Sequence, residues 1–404
     1  MALEWPKVAL GDLIDIQHGF AFEGEFFREE PPGDVLLTPG NFAIGGGFKA
    51  DKLKYYRGPV PDEFVLQPGD LLLTMTDLSK AADTLGYPAV VPPARRGTRF
   101  LHNQRLGKVK IRDGVPLESR FLYYLLCSRE YRNEVIASAT GSTVKHTSPS
   151  RIRAFCFDLP TRAEQRAIGR ILGALDDKIE LNRRMNETLE AMTWTLFKSW
   201  FVDFDPVRAK AENRDPGLPE PIVDLFPARL VDTELGGIPE GWEAGRVDDE
   251  FDLIMGQSPP GNTYNEAGVG LPFYQGRADF GFRYPKRRVF CTAPTRVAKA
   301  GDTLISVRAP VGDINMAAAD CAIGRGVAAA RHKTGSRSYS YQFMRSLDEV
   351  FARFEAEGTV FGSINKNDFH SIPTIKPPRS IVGQFEKAIC PIDTRIDVNE
   401  PRSE

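Results

Sequence analysis

Apolar residues recur at Ile168, Leu172, Leu175 and Ile179, stepping by four, three and four, and resume at Leu189 and Leu196, seven apart. They lie on a stretch from Thr161 to Asp205 that contains no Pro and no Gly after Gly173. This spacing predicts one long helix carrying a heptad seam. At about 1.5 Å per residue, some 40 residues would reach roughly 60 Å, more than a small domain needs for its core. Such a helix is a spacer or a docking rod. Asn182 and Asn186 fall where the seam calls for apolar residues. Either they pair in a buried position and fix register, or the seam shifts to Leu181 and Met185 and leaves both exposed. Trp194, Phe197, Trp200 and Phe201 are too many aromatics for a solvated helix end, so this end packs on a domain or a partner.

Before the helix, residues 1–160 alternate short apolar runs with turn signals such as Pro39-Gly40 and Pro68-Gly69-Asp70, followed by a helical pattern over Phe121–Ser138. After it, Pro206, Pro216, Pro219, Pro221, Pro227 and Pro239 mark residues 206–240 as a linker that is neither one helix nor one strand. The first pattern then restarts. Trp5 precedes Gly19 as Trp242 precedes Gly256, and Pro68-Gly69-Asp70-Leu71 corresponds to Ala300-Gly301-Asp302-Thr303. The helix from Phe121 corresponds to one from about Tyr339 to Ala356, and Gly141-Ser142-Thr143 to Gly358-Thr359-Val360. Two copies of one α/β (α+β) domain, 1–160 and 241–378, differ in loop length. Each is followed by a helix of the same seam: 161–205 after the first, and a shorter one, 379–404, after the second. The two helices are expected to run antiparallel. Pro391 inside the second predicts a kinked or short partner covering about half of the first, so that the half near Leu189–Phe201 needs the linker, a partner subunit or a second copy of the chain to cover it.

Composition adds little to this picture. The 404 residues are 42% hydrophobic with a formal net charge of -2, so any binding of polyanions rests on local patches. No run of about 18 apolar residues and no basic-then-apolar start occurs, from which no membrane association and a cytoplasmic location are expected. The five cysteines, Cys127, Cys156, Cys291, Cys321 and Cys390, never stand as C-x-x-C and read as small buried or half-buried residues; no metal site is expected.

Leu196–Lys210, LFKSWFVDFDPVRAK, continues through GLPEPIVDLFP to LGGIPEGW. With Leu159-Pro160 leading to Glu164-Gln165-Arg166, and Arg308-Ala309-Pro310-Val311-Gly312-Asp313 in the second repeat, this resembles the specificity subunits of Type I restriction-modification enzymes over nearly the whole chain. The resemblance implies two target recognition domains held by an antiparallel coiled-coil spine, each reading one half of a bipartite site in double-stranded DNA. It implies methyltransferase subunits docked around the spine, restriction subunits joining them, and a non-catalytic role for this chain. S-adenosylmethionine, ATP and Mg would then belong to the partners. The residues expected to serve the spine or partner docking are Ile168, Leu172, Leu175, Ile179, Asn182, Asn186, Leu189, Leu196, Trp200 and Phe201.

The motifs agree with a reader rather than a catalyst. Ser258-Pro259-Pro260-Gly261 lacks the aromatic that a base-methylating loop stacks on a flipped base, and reads as a turn. No phosphate-binding G-x-x-x-x-G-K-[ST] loop is present. Candidate DNA contacts in the first repeat are Arg95, Arg96, Arg99, His102, Gln104 and Arg105, with Lys145, His146 and Ser148. In the second they are Arg277, Arg283, Lys286, Arg287 and Arg288, with Arg308, Arg325 and Lys366. Arg and Lys neutralise phosphate; Arg can also pair with guanine, and Gln or Asn with adenine. Tyr274, Phe280, Phe282 and Tyr284 interleave with the second cluster as core or contact. Two rival classes are a stand-alone DNA-modifying enzyme with a diverged site and a scaffold without DNA affinity. Self-association through the incompletely paired first helix is a further expectation.

Overall fold

A computed structural model describes residues 5–79, 81–94, 97–308, 310–357 and 362–400. The chain divides into two compact units, Met1–Lys178 and Ile179–Glu404. The boundary falls inside the long helix, which runs from Arg162 to Phe201.

In the first unit, Lys7–Ala9 pairs antiparallel with Cys156–Asp158 and leads through a short helix, Leu10–Leu13, into Ile14–His18. That strand is the edge of an antiparallel four-stranded sheet ordered Ile14–His18, Leu106–Ile111, Leu71–Thr74, Pro88–Val90. A five-stranded sheet, ordered Phe27–Arg28, Lys54–Tyr56, Asp34–Leu37, Phe100–His102, Val65–Leu66, contains one parallel pair, Asp34–Leu37 with Phe100–His102.

The second unit repeats this plan strand for strand. Glu243–Arg246 pairs with Pro373–Lys376, and helix Val247–Glu250 leads into Phe251–Met255. The four-stranded sheet is ordered Phe251–Met255, Val327–His332, Thr303–Val307, Val311–Met316. The five-stranded sheet is ordered Tyr264–Asn265, Phe290–Cys291, Leu271–Tyr274, Cys321–Ile323, Val297–Ala298, again with its one parallel pair in the same place. Gly19 and Gly256 hold equivalent positions. A Cβ on Gly19 would lie 2.2 Å from the Asn103 carbonyl oxygen, and one on Gly256 2.1 Å from that of Gly324. Only glycine admits so close a backbone approach.

The helical stretch of each repeat is two helices rather than the single one expected. Ser119–Cys127 and Arg129–Ala137 are separated by Ser128, which is extended (φ -66°, ψ 153°) and caps the second helix by accepting from the Tyr131 N–H at 3.3 Å. Arg337–Arg345 and Asp348–Glu357 are also separate helices, but Ser346 between them stays near-helical (φ -70°, ψ -10°) and its hydroxyl donates back to the Phe343 carbonyl at 2.7 Å. Hydroxyl residues favour such caps because they compete for backbone hydrogen bonds, and helical periodicity alone does not register the break.

The long helix starts in a capping box: the Thr161 hydroxyl accepts from the Glu164 N–H at 3.4 Å, and the Glu164 carboxylate accepts from the Thr161 N–H at 2.9 Å. Gln165 is buried with its amide fully used, Nε2 donating to the Pro116 and Pro160 carbonyls, each at 2.8 Å, and Oε1 accepting from the Glu118 N–H at 2.9 Å. This gives the Leu159-Pro160…Glu164-Gln165 motif a physical purpose, locking the helix start to the first domain.

At the other end Phe204 turns left-handed (φ 56°), and Asp203 anchors the turn by accepting from Lys198 Nζ at 2.6 Å and, through its carbonyl, from Arg208 Nε at 2.8 Å. The linker is folded onto the second unit as helices Asp205–Ala211 and Glu220–Val223 and a hairpin of Leu230–Thr233 with Gly236–Pro239. Phe197, Trp200, Phe201, Phe204 and Phe226 join Trp242, Phe251, Tyr339 and Phe385 in one core. Two cysteines depart from expectation: Cys156, on the solvent side of a two-stranded ribbon, and Cys390, on the outer face of the C-terminal helix, are exposed. No helix among the described residues is long and apolar enough to cross a membrane.

Candidate nucleic-acid interface

One corner of the fold recurs in both units, built from the same backbone hydrogen bonds. In the first unit the turn Asn103-Gln104-Arg105 joins Phe100–His102 to Leu106–Ile111. Gly19 N–H donates to the Leu106 carbonyl, Met75 N–H to the Arg105 carbonyl at 2.9 Å, and Thr147 N–H to the Met75 carbonyl at 3.0 Å. Thr76 pairs with His146 along the short ribbon of Thr76–Asp77 and Lys145–His146, and its hydroxyl lies 3.1 Å from His146 Nδ1.

In the second unit the turn is Gly324-Arg325-Gly326. Gly256 N–H donates to the Val327 carbonyl, Val307 N–H to the Gly326 carbonyl at 3.0 Å, and Ile364 N–H to the Val307 carbonyl at 3.2 Å. Arg308 bridges Ser363 where Thr76 pairs with His146. Ser148 and Asn365 then cap the equivalent helices Pro149–Arg153 and Lys366–Ser371.

Gln104, Arg105 and His146 are exposed at the first corner and Lys145 is half-buried beside them; Arg308, Arg325 and Lys366 are exposed at the second. A groove of about 660 Å³ opens at the second, lined by Gln275, Arg277, Arg288 and Arg308 among others. Its floor is held by Asp279, which accepts from the Gln275 N–H at 2.8 Å and pairs with Arg288. Exposed cations around a groove suit a phosphate backbone, and the exposed Gln and Arg suit base edges.

A family model described as the Type I restriction modification DNA specificity domain matches residues 3–191. The chain is similar to the specificity subunits of Type I restriction-modification enzymes. It is 29% identical over 326 residues to the protein named as the type I restriction enzyme MjaX specificity subunit of Methanocaldococcus jannaschii, covering 74% of this chain and 72% of that one. It is 26% identical over 331 residues to the HindI specificity subunit of Haemophilus influenzae, covering 67% and 70% respectively. The crystal structure of a Type I restriction-modification S subunit from M. genitalium shares the fold over 98% of this chain and 91% of that one, with a TM-score of 0.54 at 15% identity.

Within the fold the sequence-derived candidates scatter more than their spacing suggests. Arg95 and Arg96 lie outside the described residues. Arg99 is half-exposed but forms a two-bond ion pair with Asp34, Nε to Oδ1 at 2.9 Å and Nη2 to Oδ2 at 2.5 Å. His102 is a correction: it is 1% exposed, its Nε2 bonds the Leu106 carbonyl at 3.0 Å, and burial lowers its pKa to about 4. It is a neutral core residue. Ser148 spends its hydroxyl on its helix cap, 3.4 Å from the Arg151 N–H.

The basic run 277–288 is not one surface. Arg277 pairs with Asp313 at 3.0 Å and stays exposed. Arg283 is buried to 1% exposure, ion-paired to Glu190 and, at 3.0 Å, to Asp393, with its guanidinium 4.4 Å from the Tyr341 ring centre. It ties this loop to the long helix and the C-terminal helix and does not face solvent, which corrects its reading as a contact residue. Glu190 is itself shared with Arg345 at 3.1 Å. Lys286, Arg287 and Arg288 line a second cavity, of about 910 Å³, with Asn182 and Asn186. Tyr274 and Tyr284 are buried, Phe280 packs on the core and Phe282 is exposed. The missed participants, Glu190, Asp393 and Tyr341, carried no local signal; their role comes only from meeting Arg283.

The helix seam needs a second correction. The C-terminal helix, Arg379–Asn399, runs through Pro391 and lies antiparallel to the second half of the long helix. Asn399 meets Asn186 at one end, and Phe385 meets Phe197, Trp200 and Phe201 at the other, with ring centres 5.9, 6.0 and 5.3 Å apart. The stretch Leu189–Phe201, expected to be left uncovered by the C-terminal helix, is therefore the half that this helix covers. Leu189 and Leu196 are half-buried, and Trp200 and Phe201 are core. The uncovered residues are Leu172 (36% exposed), Leu175 (54%) and Ile179 (66%), with Ile171 beside them (58%); Ile168 packs into the first core. The reason is geometric: the second helix starts where the second domain ends, beside Phe201, and its 21 residues run back only as far as Asn186. Of the two seam Asn residues, Asn186 is buried and paired, and Asn182 is half-buried at the cavity.

Proposed function

We propose that this chain reads a bipartite sequence in double-stranded DNA for a Type I restriction-modification complex, each repeat contacting one half-site through its recurring corner. The observation that carries the reading is the repetition itself: the same turn, the same backbone bonds and exposed polar or cationic side chains, once per unit. Residues 1–160 and 241–378 are then the target recognition domains, 161–205 and 379–404 the spine helices and 206–240 the linker.

The uncovered apolar residues Ile171, Leu172, Leu175 and Ile179 support docking of methyltransferase subunits along the long helix. Restriction subunits join through these. Methyl transfer and cleavage, with S-adenosylmethionine, ATP and Mg, reside on the partners, and this chain supplies the address.

The test is to exchange residues 1–155 for those of a relative, express the chimera with its methyltransferase, and map methylated positions. The expected result is a change in one half of the motif and none in the other. A change in both halves sinks the one-domain, one-half-site arrangement.

A further inference from the structure

The two corners match so closely that single positions can be equated across repeats. His102 corresponds to Ile323, Gln104 to Arg325 and Arg105 to Gly326, because the flanking strands and the three hydrogen bonds around each turn coincide. We infer that Gln104 and Arg325, at the tips of these equivalent turns, are the matched specificity-determining residues of the two domains, Gln104 reading an adenine and Arg325 a guanine. This rests on the DNA-reading function proposed above and says where in each domain a base is read.

Three observations carry the assignment. The first is availability. Arg99, Arg277 and Arg288 are held by Asp34, Asp313 and Asp279, whereas the exposed side chains of Gln104 and Arg325 have no hydrogen-bond or ion-pair partner among the described residues.

The second is positioning. Both tips are rigidly presented from below: the Gln104 N–H donates to the Phe20 carbonyl at 2.9 Å, the Arg325 N–H approaches the Ser258 hydroxyl at 3.4 Å, and Gly19 and Gly256 let the underlying strand press against the turn. A side chain that must meet a base edge in a fixed direction needs such support.

The third is contrast. The flanking strands and the three backbone hydrogen bonds recur in the two repeats, while the turn residues differ, and the tip differs between the two residue types whose planar forks match A and G in the major groove. A residue that merely neutralises phosphate would serve both half-sites equally well as the same cation; a residue that distinguishes two half-sites cannot. Phosphate charge is available beside each tip, from Arg105 and Lys145 in the first repeat and Arg308 in the second.

The experiment uses the full chain expressed with its methyltransferase subunits, mapping methylated positions for the parent, Gln104→Ala, Arg325→Ala and Arg325→Lys. Both Arg325 variants are expected to lose discrimination at one G·C position in a single half-site, by roughly 5- to 150-fold, because Lys keeps the charge but not the planar fork. Gln104→Ala is expected to relax one A·T position in the other half-site. A parent-like motif from Arg325→Lys, relaxation of the same half by both residues, or uniform weakening without change of motif overturns the assignment.

A variant that methylates nothing is resolved by thermal melting and by selecting bound duplexes from a randomised pool. Selection of the full parental motif by a folded Arg325→Ala variant overturns the proposal as well. The domain exchange at residues 1–155 reports separately on the underlying function: its failure removes the half-site reading altogether, whereas its success with unaltered tip variants removes only this inference.

Discussion

Asn399 donates its side-chain N–H to the side-chain oxygen of Asn186 at 2.9 Å, within the antiparallel pair of helices. Asn186 is 4% exposed, so a lost partner is not replaced by water. Replacing Asn186 with Leu is expected to cost about 1–3 kcal/mol by leaving the Asn399 amide unsatisfied. Replacing both with Leu should recover most of that loss, since an apolar pair of similar shape strands no polar group. Urea unfolding of the two variants decides it, and equal destabilisation by both counts against the pairing.

Arg283 makes a different kind of contact. Truncation to Met leaves Asp393, 1% exposed, without its ion-pair partner, and leaves Glu190 with Arg345. The expected loss is about 3–5 kcal/mol, in line with breaking one side of a buried charge network. Arg308→Ala, at an exposed cation, should leave stability within about 0.5 kcal/mol and instead flatten the salt dependence of duplex binding by about one phosphate. Measuring both quantities for both variants separates the buried cation from the exposed one.

Burial lowers the pKa of His102 from its ordinary 6.5 to about 4. Between these values the unfolded chain binds a proton that the folded chain refuses, so stability falls as pH drops through this window. The His102 contribution is whole above about pH 6.5 and lost near pH 4, amounting to roughly 3 kcal/mol. His102→Leu, which places an apolar residue where the second repeat has Ile323, should flatten the difference in unfolding free energy between pH 7 and pH 4.5. An unchanged slope in the variant would assign the acid sensitivity elsewhere.

Leu175 and Ile179 are 54% and 66% exposed, so their replacement by Ser should change the stability of the isolated chain by no more than about 0.5 kcal/mol. Co-purification of the methyltransferase subunit is expected to fall at least tenfold for the double variant. Full recovery of the partner with the variant would place the docking surface off this stripe.

Much of the architecture is written locally. The heptad steps, the Pro-rich linker and the turn signals each depend on residues a few positions apart, and the duplication shows as matched motifs at a slowly drifting offset. The core position of His102 was not legible, since its match with Ile323 comes from the hydrogen bonds around the two turns. The charges were no more legible, because a basic residue has the same sequence signature whether it meets a phosphate or a buried carboxylate.

The sequence by itself determined two copies of an α/β domain, a long helix after the first and a short one after the second, since propensity and periodicity act over one or two turns of chain. Tertiary structure alone decided that Arg283 is buried, through Glu190 and Asp393, which lie 93 and 110 residues away from it in the chain. It alone decided which half of the long helix is covered. Desolvation and ion pairing depend on what surrounds a side chain in space, and those neighbours are set by the chain's return path.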